Sequence, residues 1–404
     1  MVERKIERMV ERLMPPRRVL MLKSHSLGVG DLLRSSVAWR VMKDAWPGVE
    51  LHLLFLSKHP GYPTQDLIAT HHLLASAHFI TLREGSPQNP SAQRVPVSQL
   101  LHQAFTICVE HDIDWIIDFE MHGLRTAWLT WRLQRFLTQR QTPPQRHAIQ
   151  TLGVNQFWPR AWFYTLCSVS LPAYMKKQGL ISPMDYAERD LVVLSALGLE
   201  RQATPIELEA AAPVKAHAQG LLSQALPEQP PSPKRALWGL NIGCGTPDAL
   251  GKRPAVSDLV QAMVLLAREH TFDLVLTGAP FEREVNEAFI DAFHQALDAQ
   301  AGRLNTPPRL FNAAGTGNLT QLSGLIAACG LFISTDSGPY HMAVALKVPT
   351  LAWFVIDQPA SYHAVSWCVR VLNPSPQAVL AAANEVLSHQ EGLRAAQPEP
   401  SQTL

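Results

Sequence analysis

Short, mostly apolar runs alternate with longer stretches of helical periodicity along most of the chain. Residues 19–22 and 51–56 are two such runs, and this pattern is typical of strands that are covered on both faces. The other runs that predict strands are 77–82, 115–119, 236–242, 272–277, 331–334 and 349–354. Apolar residues at helical spacing fill the segments between them, as at 98–110 and 256–268. Strands that alternate with helices predict βαβ units and a parallel sheet.

The alternation occurs twice, on either side of a segment rich in Ala, Pro and Gln. We therefore predict an α/β fold class with two Rossmann-like domains facing across a cleft. The predicted boundaries are 17–215 for the first domain, 216–234 for the linker, 235–390 for the second domain and 391–404 for a disordered tail. Ligands bind such sheets at the carboxyl ends of the strands, so the residues that follow the strands are the candidates for function.

Residues 1–16 predict an amphipathic N-terminal helix. Val2, Ile6, Met9 and Leu13 recur at helical spacing between Arg and Glu residues, and two prolines at 15–16 end the pattern. Two interpretations remain open. The helix packs on its own domain, or it lies on a membrane surface or a partner.

Composition excludes several classes of protein. Of the 404 residues, 47% are hydrophobic and 17% charged, which argues against global disorder. The net charge of +1 gives no reason to expect nucleic acid as a partner. The five cysteines are scattered without a CxxC pair, which favours a reducing compartment and excludes a disulfide scaffold. No signal peptide or long uncharged apolar run is present, so we expect a cytoplasmic location.

Residues 121–184 form a basic and aromatic stretch. They contain no Asp or Glu, and their basic residues are Arg125, Arg132, Arg135, Arg140, Arg146, Arg160, Lys176 and Lys177. Their Trp, Phe and Tyr residues include Trp128, Trp131, Trp158, Trp162, Phe163 and Tyr164. One interpretation is a positively charged helical insertion that pairs with acids elsewhere. The other is a surface for an anionic acceptor or an anionic membrane.

A glycine turn at residues 28–31 (GVGD) follows the first predicted strand and opens a helix. It resembles a dinucleotide fingerprint, but Leu33 replaces the third glycine and no acid ends the second strand at Leu56. NAD binding is therefore disfavoured. What remains is one carboxylate, Asp31, at a helix N-terminus, where it serves either as a helix cap or as a chemical group.

Two later turns are suited to phosphate. Residues 245–253 (GTPDALGKR) are a near miss to the P-loop, with Thr246 in place of the first glycine and Arg253 after the lysine. This excludes a standard ATPase loop but keeps a hydroxyl and two cations near a strand end. Residues 336–341 (DSGPYH) lead from a strand into a helix with Pro in its first turn, so they form either an anion site or a well-capped helix.

Metal chemistry has no sequence support. HExxH and other His or Cys patterns with metal-ligand spacing are absent. Asp112 and Asp114 form a short DxD pattern, which we interpret as the solvated start of a strand. We therefore predict no metal site and no cofactor.

Three segments of the chain resemble the heptosyltransferases of glycosyltransferase family 9. Residues 18–48 are similar to the family's opening strand, its glycine–Asp turn and its YPG, here WPG. Residues 114–125 (DWIIDFEMHGLR) are similar to its DLVIDLQGLLRS. Residues 336–341 match its D-S-G-P-x-H. Order and spacing agree over 17–120 and 236–357.

The resemblance implies a GT-B fold and an inverting, metal-independent transfer of a sugar from a nucleotide diphosphate. The usual donor is ADP-heptose, and the usual acceptor is the inner core of lipopolysaccharide, an anionic glycolipid at the cytoplasmic face of the inner membrane. Asp31 falls on the family's general base, and Lys252 on the lysine that contacts the donor phosphates. The other implied donor-binding positions are Thr246, Glu284 (with Glu282 as the alternative), Asp336, Ser337, Gly338 and His341. The acceptor-binding positions that we expect in the first domain are Gly30, Arg125, Arg132 and Arg135.

Two departures from the family keep other functions open. The family's N-K-x-W-P is here GKRP at 251–254, without the tryptophan, and residues 124–176 have no counterpart and are predicted to be an insertion. A non-catalytic protein that binds a sugar nucleotide or docks a partner is one alternative. An NAD-dependent oxidoreductase is the other, and the missing glycine and ribose acid disfavour it.

Overall fold

The computed structural model describes residues 14–24, 28–86, 89–140, 148–180, 187–199, 204–227, 235–243, 251–299, 306–356 and 363–395. The chain divides into two compact units, Met1–Ile206 and Glu207–Leu404. Each unit contains one six-stranded sheet in which every paired neighbour is parallel. The predicted α/β class with two parallel sheets is therefore confirmed.

The first unit alternates strands and helices from its beginning. Its strands are β1 (Arg18–Ser24), β2 (Glu50–Ser57), β3 (Ser76–Thr81), β4 (Arg83–Gly85), β5 (Pro90–Arg94), β6 (Trp115–Asp118), β7 (Gln150–Val154) and β8 (Leu166–Ser168). Its α-helices are α1 (Val29–Arg34), α2 (Ser36–Ala45), α3 (Thr64–Ala69), α4 (Val97–Glu110), α5 (Arg125–Arg140), α6 (Leu171–Gln178) and α7 (Ala187–Leu194). The main sheet has the order β3-β2-β1-β6-β7-β8, and β4 and β5 form a separate antiparallel pair.

The second unit repeats this pattern. Its strands are β9 (Ala236–Asn241), β10 (Phe272–Thr277), β11 (Leu310–Asn312), β12 (Leu331–Thr335), β13 (Thr350–Phe354) and β14 (Cys368–Leu372). Its α-helices are α8 (Ala212–Ala225), α9 (Val256–Glu269), α10 (Arg283–Asp298), α11 (Leu319–Ala327), α12 (Gly338–Ala345) and α13 (Pro376–Ala395). The sheet has the order β11-β10-β9-β12-β13-β14.

The central strands contain continuous apolar runs because both faces of each sheet are covered. Residues 19–22 of β1 and 274–276 of β10 are fully buried. Side chains on opposite faces of a strand then both enter a core, so the usual alternation of apolar and polar residues is lost. This burial explains why continuous apolar runs located the central strands so well.

Residues 124–176, predicted to be an insertion, form part of the main sheet in the first unit. They supply α5, β7 and β8, and β7 pairs with β6 from Trp115↔Gln150 onward, so that the sheet continues through this segment. The strands were missed because β7 contains Gln, Thr and Gly and β8 has only three residues. Neither forms a continuous apolar run.

The predicted linker also differs from the structure. The division falls at 206/207, and α8 occupies the beginning of the 216–234 segment. This helix packs so closely on α11 that a Cβ on Gly324 would lie 2.6 Å from the carbonyl oxygen of Val214. At the other end, α13 continues to Ala395, into the segment predicted to be disordered. Residues 1–13 and 396–404, which carry the predictions for the N-terminal helix and the rest of the tail, lie outside the described residues.

Three histidines meet near the amino ends of the strands in the first unit. His52 Nδ1 lies 2.8 Å from Ser76 Oγ, which lies 2.8 Å from His78 Nε2. His78 Nε2 is in turn 2.9 Å from His111 Nε2. Burial, followed by the neighbouring His111, lowers the pKa of His52 to about 4, and the same two causes lower the pKa of His78. Glu50 Oε2 lies 3.7 Å from His52 Nε2 and raises the pKa of His52, but this effect is smaller than the lowering caused by burial.

This cluster predicts a loss of stability in mild acid. The unfolded chain binds a proton at His52 near pH 6.5, whereas the folded chain resists it down to about pH 4. The contribution of His52 is therefore complete above about pH 6.5 and decreases by up to ~1.4 kcal/mol per pH unit as the pH falls towards 4. Urea unfolding between pH 7.5 and pH 4.5 should show a flatter pH dependence in His52→Gln than in the wild type. The exposed His102→Gln variant is the control, and an unchanged slope in His52→Gln would contradict the assignment.

Candidate active site

The carboxyl ends of β9 and β12 lie side by side in the second sheet, where Ser334 pairs with Asn241. The chain order reverses between these two strands, because β10 and β11 lie beyond β9 and the later strands lie beyond β12. Ligands of open parallel sheets bind at such a switch point. The residues that follow β9 and β12 are therefore the candidate ligand groups of the second unit.

Hydrogen bonds hold the two strand ends together at this point. Asn241 Nδ2 and Thr335 Oγ1 donate to the carbonyl oxygen of Gly243, over 2.8 Å and 2.6 Å. Ser337 Oγ donates to the carbonyl oxygen of Thr335 over 3.2 Å. These bonds fix the beginning of the loop after β9 against the turn that precedes α12.

The N-terminus of α12 can bind an anion, because its N-cap side chain does not occupy the N–H groups of the first turn. Ser337 is the N-cap residue, yet its side chain makes no capping hydrogen bond. The Ser337 side chain therefore does not cap this helix. Pro339 lies in the first turn, and the N–H groups of that turn and the helix dipole favour a negative group in front of Gly338.

Lys252 lies beside this helix N-terminus. Its Nζ atom is 2.6 Å from Asp336 Oδ2, and the two side chains are 34% and 11% exposed. Asp336 directly precedes Ser337, so the ion pair places the ammonium group next to the start of α12. The sequence predicted both residues as donor-binding, and the structure brings them together.

Arg253 adds a second cation to the same edge. Its Nη2 atom is 3.1 Å from Glu282 Oε1, and Glu282 Oε2 accepts a 2.7 Å hydrogen bond from the N–H of Ala279. Glu282 packs against Gly243 so closely that a Cβ there would lie 1.7 Å from Oε1. No larger side chain fits at Gly243 unless Glu282 moves.

Glu282, rather than Glu284, is the acid at this edge. Glu282 is 2% exposed and contacts both Gly243 and Arg253, whereas Glu284 is exposed in the first turn of α10. His341 is buried behind the start of α12, with Nδ1 2.7 Å from His363 Nε2. Thr246, the remaining predicted donor-binding residue, lies outside the described residues.

In the first unit, Asp31 lies in the first turn of α1, after β1. The N-cap is Gly28, so Asp31 is not the cap of this helix. Its carboxylate is 38% exposed and lies 3.8 Å from Nη1 of the buried Arg34. Gly30 is buried inside the same turn. A half-exposed carboxylate at the switch point between β1 and β6 can accept a proton from a bound hydroxyl.

A buried ionic network next to this turn was not predicted from the sequence. Asp118, the last residue of β6, is fully buried, and Arg160 Nη2 donates to its Oδ2 over 2.8 Å. Tyr164 Oη donates to the same oxygen over 2.6 Å, and the N–H of Glu120 donates to Oδ1 over 3.0 Å. Burial raises the pKa of Asp118 to about 6, although all three partners oppose the rise. Glu120 Oε1 accepts a 2.7 Å bond from the N–H of Ser24, which ties the ends of β6 and β1 together.

The arginines of α5 lie over aromatic rings of the same helix. The guanidinium carbon of Arg132 is 5.7 Å from the centre of the Trp128 ring, and that of Arg135 is 4.9 Å from Trp131. Arg125 is exposed at the beginning of the helix. These contacts leave the positive charge of α5 on the surface.

The described part of the chain shows neither a metal-binding cluster nor a membrane-spanning helix. No group of three or more His, Cys, Asp or Glu residues there is arranged to hold a metal ion. Within the same residues, no helix has both the length and the apolar character needed to cross a bilayer.

Part of the chain is similar to a known protein family. Residues 264–379 match the model of glycosyltransferase family 9 (heptosyltransferase). This match includes the turn at 336–341 but neither Asp31 nor Lys252. No curated protein matches the chain in a sequence search.

Solved structures resemble the chain over nearly its full length. A glycosyltransferase family 9 protein from Veillonella parvula is 17% identical with a TM-score of 0.62, over 92% of this chain and 97% of that one. The E. coli ADP-heptose lps heptosyltransferase II is 16% identical with a TM-score of 0.60, over 93% and 99%. E. coli heptosyltransferase WaaC with ADP-2-deoxy-2-fluoro heptose is 16% identical with a TM-score of 0.56, over 93% and 99%.

At these identities the structures establish the fold, and the family model supports the family. This chain has two parallel six-stranded sheets in two units, and its fold is similar to that of these transferases. The chain thus has the GT-B fold of these transferases, and its residues 264–379 resemble glycosyltransferase family 9.

Proposed function

We propose that the chain transfers a heptose from ADP-heptose, with inversion and without a metal ion, onto a lipopolysaccharide core or a related anionic glycolipid. The observation that carries this proposal is the Lys252–Asp336 pair at the N-terminus of α12. Asp336 lies inside the segment that matches family 9, and Lys252 lies shortly before that segment. The donor is inferred from two similar E. coli proteins, the ADP-heptose lps heptosyltransferase II and WaaC with ADP-2-deoxy-2-fluoro heptose.

Protein groups balance the charge that develops on the leaving ADP in this mechanism. An ammonium group has three N–H donors, and Asp336 takes one of those of Lys252. We expect the others to contact the donor diphosphate. The N–H groups at the start of α12 and the guanidinium of Arg253 add positive potential at the same strand ends. A preorganised set of donors of this kind removes the need for a divalent cation.

Asp31 is the proposed general base. The acceptor hydroxyl must lose its proton as it attacks the anomeric carbon, and a carboxylate within hydrogen-bond reach can accept that proton. Nη1 of the buried Arg34 lies 3.8 Å from the Asp31 carboxylate. Arg125, Arg132 and Arg135 are proposed to attract the anionic groups of the acceptor, because residues 121–184 carry no acid to neutralise them.

Lys252→Ala tests the donor site. The variant loses a charge-assisted contact to the diphosphate and leaves the Asp336 carboxylate without its lysine, so ADP affinity should fall about 10- to 100-fold. Calorimetric titration with ADP, UDP and GDP, with and without magnesium, measures this. Lys215→Ala, an exposed lysine on α8, is the matched control.

Each outcome of this titration bears on the proposal. Metal-independent ADP binding that Lys252→Ala weakens supports it. A preference for UDP or GDP removes heptose as the sugar, and binding of none of the nucleotides favours a protein that does not use a nucleotide donor. Equal affinity in Lys252→Ala and the wild type excludes Lys252 from the donor site.

A further inference from the structure

Two tryptophans of the first unit project into solvent. Trp158 is 76% exposed and Trp162 is 71% exposed. Their ring centres are 5.0 Å apart, with an interplanar angle of 78°. Phe157, immediately before them, is 40% exposed. Large aromatic side chains are usually well buried, so a contiguous group of three at the surface marks an interaction site. We name these three residues the indole patch.

The patch is built on a rigid support. Between its two tryptophans, Arg160 is fully buried and donates to Asp118 and to the carbonyl oxygens of Glu120 and Gly123. The turn is closed by hydrogen bonds from the N–H of Arg160 to the carbonyl of Phe157 (2.9 Å) and from the N–H of Trp162 to the carbonyl of Pro159 (3.1 Å). The indoles are therefore held outward by an internal anchor, and their exposure is a property of the folded unit.

The surroundings of the patch are cationic. Residues 121–184 contain eight Lys and Arg residues and no acid. Arg125, at the start of α5, and Lys176 and Lys177, at the end of α6, are exposed. Exposed indoles combined with exposed cations match the interface of an anionic bilayer, where Trp occupies the headgroup level and Lys and Arg meet the lipid phosphates.

We propose that the indole patch inserts into the interfacial layer of an anionic membrane and holds the first unit there. Asp118 anchors the patch at the carboxyl end of β6, and β6 pairs with β1, which leads to Asp31. Insertion would thus bring the edge of the sheet that carries Asp31 to the membrane surface. The biological sense of this rests on the proposed function, in which the acceptor is a membrane-borne glycolipid.

A bilayer fits the patch better than a saccharide does. A sugar ring stacks on one open aromatic face. The two indoles instead meet edge to face, so they offer apolar surface in two orientations and not one flat platform. Leu124 and Val169, 39% and 49% exposed, add apolar surface on the segments that flank the turn. Interfacial insertion needs apolar area and nearby cations, and both are present.

Co-sedimentation with vesicles tests the proposal on the full chain. The probes are phosphatidylcholine vesicles and vesicles with about one-third phosphatidylglycerol. We expect binding to the anionic vesicles only, and a partition coefficient about tenfold or more lower in the double variant Trp158→Ala, Trp162→Ala. The matched control removes two other exposed apolar side chains, Val97→Ala with Val109→Ala on α4. Brominated acyl chains should quench tryptophan fluorescence in the wild type and not in the double variant.

The outcomes separate this inference from the proposed function. Vesicle binding requires neither donor nor turnover, so it remains measurable if no sugar is ever transferred. Equal binding of the double variant and the wild type, or equal binding to neutral and anionic vesicles, overturns the inference. So does a raised KM for a lipid-free core oligosaccharide with unchanged vesicle binding, which would make the patch a saccharide platform. An unchanged melting temperature of the double variant shows that its fold is intact.

Discussion

Replacement of Asp31 by asparagine should lower the rate of sugar transfer by about 10²- to 10⁴-fold, the usual contribution of a general base. The amide keeps the size of the side chain and its place in the first turn of α1, but it cannot take the hydroxyl proton. ADP affinity should not change, since the groups proposed to bind the donor belong to the second unit. Steady-state rates of ADP release in the presence of acceptor, together with calorimetric titration, measure the two effects separately.

The chain offers a close control for this experiment. Asp66 is the third residue of α3, a six-residue helix, and Asp31 is the third residue of α1, also of six residues. Asp66→Asn therefore removes the same first-turn carboxylate and the same interaction with a helix dipole, worth ~0.3–1 kcal/mol, without touching the proposed base. Near-normal turnover in Asp31→Asn would show that another group takes the proton. Equal losses in both variants would assign Asp31 a structural role.

Arg160→Met should destabilise the first unit by about 3–5 kcal/mol, because it removes the cation from a fully buried ion pair and leaves the buried Asp118 carboxylate without that cation. Methionine approximately keeps the volume, so the lost packing is small. The turn that carries Trp158 and Trp162 would lose its anchor as well. Thermal and urea unfolding measure the deficit against the wild type.

The deficit should depend on pH. The pKa of Asp118 is raised to about 6 in the folded chain and is near 3.8 when unfolded, so the folded chain binds the extra proton between these values. Without Arg160 the carboxyl is neutralised more readily, and the deficit should shrink as the pH falls from 8 to 5. Adding Asp118→Asn to Arg160→Met should recover part of the stability. A deficit that is equal at both pH values and unrelieved in the double variant would mean that the charge of Asp118 is not its cause.

The sequence was most informative where one physical signal dominates. Buried parallel strands need apolar side chains on both faces, so β1, β2 and β10 were visible as runs. β7 contains polar residues and glycine, and β8 has only three residues, so neither forms an apolar run. Their pairing depends on strands that are distant in sequence, which no local pattern encodes. The same limit explains why the linker was predicted where α8 lies. α8 is rich in Ala, and its packing on α11 at the small Gly324 is not visible in its own sequence.

The candidate site divides in the same way. The turn at 336–341 and Lys252 were predicted because phosphate-binding loops have local signatures, and the structure places Lys252 against Asp336. Arg160 was named only as one basic residue among eight, since its partner Asp118 lies 42 residues earlier in the sequence. The sequence did not show how Glu282 is placed, because the 3-10 turn at Pro280–Glu282 is what directs this acid towards Gly243. The assignments of Asp31, Arg125, Arg132 and Arg135 remain predictions.

The transfer reaction itself tests the central claim most directly. The full chain is incubated with ADP-heptose and a heptose-deficient lipopolysaccharide core in the presence of a chelator. The mass of the acceptor is then measured by mass spectrometry. We expect the core to gain one heptose with release of one ADP, and we expect Asp31→Asn to abolish most of this gain. A core of unchanged mass with ADP-heptose, or a gain that requires a divalent metal, would contradict it.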